Sequence, residues 1–297
     1  MLFLDGSGGS IPPMLLCLAS GAAFGAMAVF GKLAYAEGAT VGTLLALRFL
    51  FASGLFWAGT ATAVAKGARP LKRQLSRGDA CLALGLGAGG YAVQAGLYFA
   101  ALSRIDAGLL SLLVFTFPVM VAVAAVALGR EAVSRRRVAA LAIALGGTTL
   151  FVGSTGAIDT LGVVLGLGAA VLYSAYILVS EGVAQRMPPQ VLATLVCTGA
   201  AAALTVSTLA LGEFRPGDLT LAGWWWLLCL AGISTVGAIT LFFAGLKRVG
   251  PTTSSILATV EPLATLVLAF LVFGDTVSAV GIAGAGLIVL AVWLVSG

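Results

Sequence analysis

Histidine is absent from this chain of 297 residues, and Asp, Glu, Lys and Arg together make up only 9% of it. Without imidazole there is no histidine proton relay and no histidine-based metal site. The four cysteines, Cys17, Cys81, Cys197 and Cys229, fall in apolar stretches without metal-ligand spacing. A disulfide framework is therefore not expected, and buried thiols are. No cluster of carboxylates lies within the apolar runs, so a membrane enzyme would have no convergent catalytic set. A nucleotide-driven pump fares no better. Gly25–Lys32 superficially resembles a phosphate loop, but it has one residue too many between its glycines and sits in an apolar run. No cofactor is expected.

What the chain does have is apolar length. It is 60% hydrophobic with a mean hydropathy of +1.12, and a helix needs roughly 20 apolar residues to cross a bilayer core of about 30 Å. Ten such runs fit, near 13–36, 41–64, 80–101, 107–129, 138–154, 160–182, 190–211, 221–246, 252–273 and 277–296. The expected fold is thus an all-α integral membrane protein of ten transmembrane helices, with residues 1–12 as a lead-in. That lead-in carries Asp5 and no cation before the first run, which does not match a cleavable signal.

The net charge of +5 is a topology signal, and no nucleic acid is expected as a partner. With the N-terminus inside, the inner connections hold Lys66, Arg69, Lys72, Arg73, Arg77, Arg130, Arg135, Arg136, Arg137, Arg186, Lys247 and Arg248. These are 12 of the 16 cations, against Arg104 and Arg215 outside. The positive-inside rule then places both termini in the cytoplasm. Trp224–Trp226 and Trp293 stand at span ends, where interfacial anchoring is the expected role.

Residues 97–134 overlay 241–278 without a gap, with 12 identities over 38 positions that include Arg104/Arg248 and Pro118/Pro262. Five spans per half is an odd number, so the halves must enter the membrane in opposite senses, and the charges reverse accordingly. The four cations of Gly129–Arg137 have no counterpart in 273–277, which carries Asp275. An inverted five-plus-five repeat (13–155 and 156–297) is the usual sign of a secondary transporter working by alternating access. A receptor or structural role is left open, as no residue excludes it.

Several residues are candidates for the pathway. Pro118 and Pro262 lie near mid-span in equivalent helices, and each is expected to bend its helix, either as a static kink or as a gating bend beside the solute. Glu261 is the one carboxylate expected near mid-bilayer, and its repeat partner is Phe117. It is either a protonatable or amine-binding group, or a neutral acid locking the kink. Arg48 lies about 10 Å from the outer end of the second span, where it could attract a carboxylate or reach for headgroups. Lys32 is expected to snorkel. Tyr91, Gln94 and Tyr98 share one helix face, and Tyr173, Tyr176 and Ser180 another. Such faces suit either a wet central cavity or packing between helices.

Thr259–Val260–Glu261–Pro262, then Phe273–Gly274–Asp275, then Gly281 through Leu290 resemble the closing segment of EamA-type carriers of the drug/metabolite transporter superfamily. Ala46–Leu47–Arg48–Phe49 is similar to that family's arginine-bearing segment. The family usually has Glu at the position of Asp275. The resemblance implies export or exchange of small metabolites across a bacterial inner membrane, with YddG-like amino-acid exporters the nearest subtype. A cavity built mainly from the first, third, fourth, sixth, eighth and ninth helices is also implied. The alternative within transport is efflux of drugs or other cationic compounds using Glu261. The full repeat in one chain makes a working monomer the expectation.

Overall fold

The computed structural model describes residues 11–67, 75–102, 104–105, 113–132, 134–152, 159–273 and 279–296. Ten helical runs follow in order: α1 (Pro13–Ala36), α2 (Val41–Ala65), α3 (Arg77–Gly85, Leu86–Tyr91 and Ala92–Leu102), α4 (Phe117–Ala127), α5 (Arg135–Val152), α6 (Thr160–Ala184), α7 (Pro189–Ala210), α8 (Leu221–Val249), α9 (Pro251–Phe273) and α10 (Ala279–Ser296). No strand occurs among the described residues. Seven of these runs, all but α4, α5 and α10, are long and apolar enough to cross a membrane. The start of the fourth span, the Gly274–Asp275 pair, Ser111 and the cations Arg69, Lys72 and Arg73 lie outside the described residues.

Local sequence explains where the helices begin and end. Thr40, Ser76, Asp159 and Thr220 each accept a hydrogen bond from the backbone N–H three residues on, capping α2, α3, α6 and α8. Proline opens α1, α7 and α9, where its missing N–H costs nothing. Gly250 alone joins α8 to α9, at φ +80°. Gly38 turns α1 toward α2 at φ +93°, and a Cβ there would run into the carbonyl of Asp218.

Helix pairing reveals an internal two-fold relation. α1 packs on α8 and α9, while α6 packs on α3 and α4. α3 lies against α7, and α8 against α2. α2 meets α7, α4 meets α9 and α5 meets α10. Exchanging each helix with the one five places on turns every one of these pairings into itself or another of the set, as a two-repeat fold requires. Apolar burial gives lipid-embedded helices little drive to associate, so close backbone approach must supply it. It is concentrated at a few glycines. A Cβ on Gly87 would strike the Val196 carbonyl, one on Gly199 the Leu84 carbonyl, and one on Gly25 would sit 2.7 Å from Glu261 O. Gly85, Gly89 and Gly286, by contrast, have nothing within 4 Å of an added Cβ. The tight α3–α7 crossing uses Gly87 instead.

Two features were not legible in the sequence. α3 and α8 each contain a π-helical turn, at Leu86–Tyr91 and Gly232–Gly237, in repeat-equivalent helices. Such turns insert an extra residue and recur at functional positions. In addition, the prolines do not kink continuous helices. The fourth span turns at Phe115–Thr116 before α4 begins, and α9 breaks at Thr259. Pro118 and Pro262 therefore fall in the first turn of the second segment, where no intrahelical N–H bond is lost. A threonine marks each break: Thr116 Oγ1 donates to Leu113 O and Thr259 Oγ1 to Ile256 O, both at 2.6 Å.

Candidate functional site

The two π-turns and the two helix breaks surround one polar site deep in the bundle. Arg48, on α2, is 4% exposed. Its Nε donates to Thr235 Oγ1 at 2.8 Å and its Nη2 to the Tyr91 hydroxyl at 3.4 Å. Thr235 belongs to the π-turn of α8 and Tyr91 ends that of α3, so one guanidinium ties both turns together. Thr235 can accept because its own proton goes to Leu230 O, 2.9 Å away and five residues back, a bond the π-turn makes available. The Phe49 ring lies beneath the guanidinium, 4.9 Å from its centroid. Of the five N–H donors of arginine, two are engaged among the described residues. None of the ion pairs among the described residues includes Arg48.

An aromatic wall continues from this cation. Tyr91 sits edge-on to Phe49 (5.1 Å between centroids) and to Tyr176 (5.8 Å). Tyr176 stacks on Tyr173 at 6.1 Å, and Tyr173 meets Phe117 edge-on at 4.7 Å. Phe117 is next to Pro118, so the wall runs from α2 through α3 and α6 to the break before α4. Ser174 holds that junction, its Oγ donating to Ala170 O at 2.8 Å with Phe117 O 3.3 Å away.

Glu261 closes the site from α9. It stands in the first turn after the break at Thr259, where a helix N-terminus favours a carboxylate. The side chain accepts no hydrogen bond among the described residues, yet it interacts electrostatically with Arg48, Tyr91, Tyr98 and Tyr173. Glu261, Tyr91 and Tyr173 are half-buried, whereas Arg48 and Tyr176 are buried. Backbone contacts hold Glu261 in place: α1 crosses at Gly25, and Thr265 Oγ1 donates to Gly25 O at 3.0 Å with Glu261 O 3.1 Å away.

The sequence candidates thus divide. Arg48, Tyr91, Tyr173, Tyr176 and Glu261 converge, Tyr98 packs two turns along α3 against the apolar cluster of Ala101, Val114 and Ala169, and Pro118 and Pro262 fall in the first turns of the segments that carry Phe117 and Glu261. Gln94 lies half-buried one turn beyond Tyr91, without a hydrogen-bond partner among the described residues. Ser180 is fully buried, one turn along α6 from Tyr176. Lys32 lies over the Phe273 ring at 4.2 Å, held by α9. Trp225 and Trp293 are exposed, as anchors would be, but Trp224 packs on Phe51 and Trp226 stacks on Phe30. Thr235 was missed altogether. The only signal was a threonine in Gly232–Gly237, a run without apparent charge chemistry.

The sequence profile of the EamA-like transporter family matches residues 11–153 and again 160–297. The chain belongs to the EamA-like transporter family. That membership makes it a multi-pass membrane protein of a family that transports small molecules rather than one of enzymes. A solved crystal structure is similar over 95% of each chain, with a TM-score of 0.78 and 20% identity, which supports the fold alone. No curated protein sequence matches.

Proposed function

We propose that this EamA-family chain is a secondary carrier whose cargo is small zwitterions, amino acids first among them, bound between Arg48 and Glu261. The single observation that carries the reading is Arg48: a buried guanidinium with donors to spare and no ion-pair partner among the described residues. A substrate carboxylate would supply what the fold leaves out, because bidentate pairing is the strongest use of those donors. Glu261 would face the substrate ammonium, and the rings of Tyr91, Tyr173 and Tyr176 would cover its apolar part. The halves 13–155 and 156–297 would then rock about this site, with the breaks before Pro118 and Pro262 as the bending points. In keeping with charge placement and family, the chain would act as a monomer in a bacterial inner membrane, with both termini cytoplasmic and export as the working direction.

Efflux of cationic compounds is the second reading, favoured by tyrosine faces next to a carboxylate. Arg48 weighs against it, since a cation without a carboxylate would enter a site that already holds a buried positive charge. Flux into proteoliposomes separates the two, using a panel of labelled amino acids and organic cations with and without an imposed pH gradient. Saturable amino-acid flux supports the proposal, and a pH response lost in Glu261→Gln would make that residue the coupling group. Amino-acid flux indifferent to both would leave a facilitator with a structural Glu261. Flux of cations alone would overturn the zwitterion reading.

A further inference from the structure

A second site lies at the basic end of the bundle, away from Arg48 and Glu261. A cavity of about 310 Å³ opens there between Met14, Ser134, Arg136, Arg137, Arg248 and Thr253. Three helices begin around it: α1 at Pro13, α5 at Arg135 and α9 at Pro251. Each brings the positive end of its dipole to that end of the bundle. The side chains add to this field. Arg137 Nη1 is paired with Glu131 Oε2 at 2.7 Å, and Glu131 Oε1 lies 3.5 Å from the N–H of Thr252. The Glu131 carboxylate is therefore spoken for. Arg136 and Arg248 take part in no ion pair among the described residues. Two exposed guanidinium groups without an ion pair among the described residues, two hydroxyl side chains and three helix N-termini around one concavity make a setting for a tetrahedral oxyanion.

We propose that this cavity binds a phosphate group, either the headgroup phosphate of an anionic lipid or free inorganic phosphate. Its walls come from both repeats, with Met14, Ser134, Arg136 and Arg137 from one and Arg248 and Thr253 from the other. A phosphate seated there bridges them and stabilises this arrangement of the helices over one in which the basic end has parted. The anion therefore acts on the carrier's conformational equilibrium and not on its cargo. This inference stands whether or not the substrate is a zwitterion.

The test is thermal unfolding of the full chain in a neutral detergent, titrated with inorganic phosphate, phosphatidylglycerol or phosphatidylcholine. The double variant Arg136→Gln/Arg248→Gln is compared with Lys66→Gln/Arg77→Gln, which removes the same charge at the same end outside the cavity. Phosphatidylglycerol or phosphate should raise the unfolding midpoint of the wild type, and phosphatidylcholine should not. At about fivefold per arginine, the cavity variant should need about 25-fold more anion for the same shift, while the control keeps wild-type behaviour. Arg248→Lys, which keeps the charge, should retain most of the effect. A rise with phosphate alone identifies a free-anion site, and a rise only with phosphatidylglycerol a headgroup site. No rise with either anion, or equal losses in the two double variants, overturns the proposal.

Discussion

Replacing Arg48 by methionine should leave the fold as stable or make it more stable, while ending transport of carboxylate substrates. The reasoning starts from the cost of the charge. Taking a guanidinium out of water carries an effective penalty of several kcal/mol even after relaxation. Here that penalty is only partly offset, by one short hydrogen bond to Thr235, one long one to Tyr91, the Phe49 ring and the field of Glu261. Methionine fills a similar volume and carries no charge. It strands nothing on α8, because the Thr235 hydroxyl still donates to Leu230 O. Exchanging a whole buried ion pair for apolar groups is commonly neutral or stabilising by about 1–4 kcal/mol, whereas removing one partner of a pair strands the other. Arg48 makes no ion pair among the described residues, so a midpoint that holds or rises is expected. The assay pairs the unfolding midpoint of the detergent-solubilised protein with amino-acid flux in proteoliposomes. Rising or unchanged stability with flux lost shows a charge kept for the cargo. A midpoint that falls sharply would make Arg48 a structural strut between the π-turns. Unimpaired flux would remove it from the binding site.

Other expectations follow from the same geometry. Thr235→Val deprives a buried charged donor of its acceptor and should cost about 1.5–3 kcal/mol, read as a raised KM or a lowered midpoint, whereas Tyr91→Phe, losing a 3.4 Å contact, should cost clearly less. Equal effects would contradict the assigned partners. Gly87→Ala and Gly199→Ala force a Cβ against backbone and should destabilise by about 1–3 kcal/mol or more, while Gly85→Ala and Gly89→Ala should be tolerated, as unfolding midpoints will tell. Arg186→Gln breaks the 3.0 Å pair with Asp79, but Arg186 is more than half exposed, so the midpoint should move by less than about 1 kcal/mol equivalent.

The helices and their ends were readable because a membrane leaves one solution for apolar runs of this length, and the caps and prolines mark the boundaries. Arg48, Glu261 and the tyrosines were readable as candidates because polar side chains in such runs are costly and few. The π-turns were not. A glycine-rich stretch such as Leu86–Tyr91 is compatible with either α or π hydrogen bonding, and what selects π is tertiary: α7 presses on Gly87 from one side, and Arg48 claims Thr235 in the other copy. The form of the interruption at the prolines was not legible for a related reason. Proline disfavours the α conformation in the residue before it, but whether the chain bends or restarts depends on the turn upstream, here bonded through Thr116 and Thr259.

The scaffold is symmetric, yet its chemistry is not. Counting from the helix starts, the eighth residue of α2 is Arg48 and the eighth of α7 is Val196. Both touch the π-turn of a helix in the other half, Arg48 through Thr235 and Val196 through the contact of its carbonyl with Gly87. Likewise Glu261 and Phe117 follow the equivalent breaks, one charged and one aromatic. In each pair one copy packs and the other carries charge. Two inverted halves can exchange conformations because their packing is equivalent, whereas two copies of each charge would double the desolvation cost and divide the cargo between two weak sites. On the proposed reading, placing the cation on the first repeat and the carboxylate on the second would leave one dipolar site per chain, spanning the boundary about which the halves would rock.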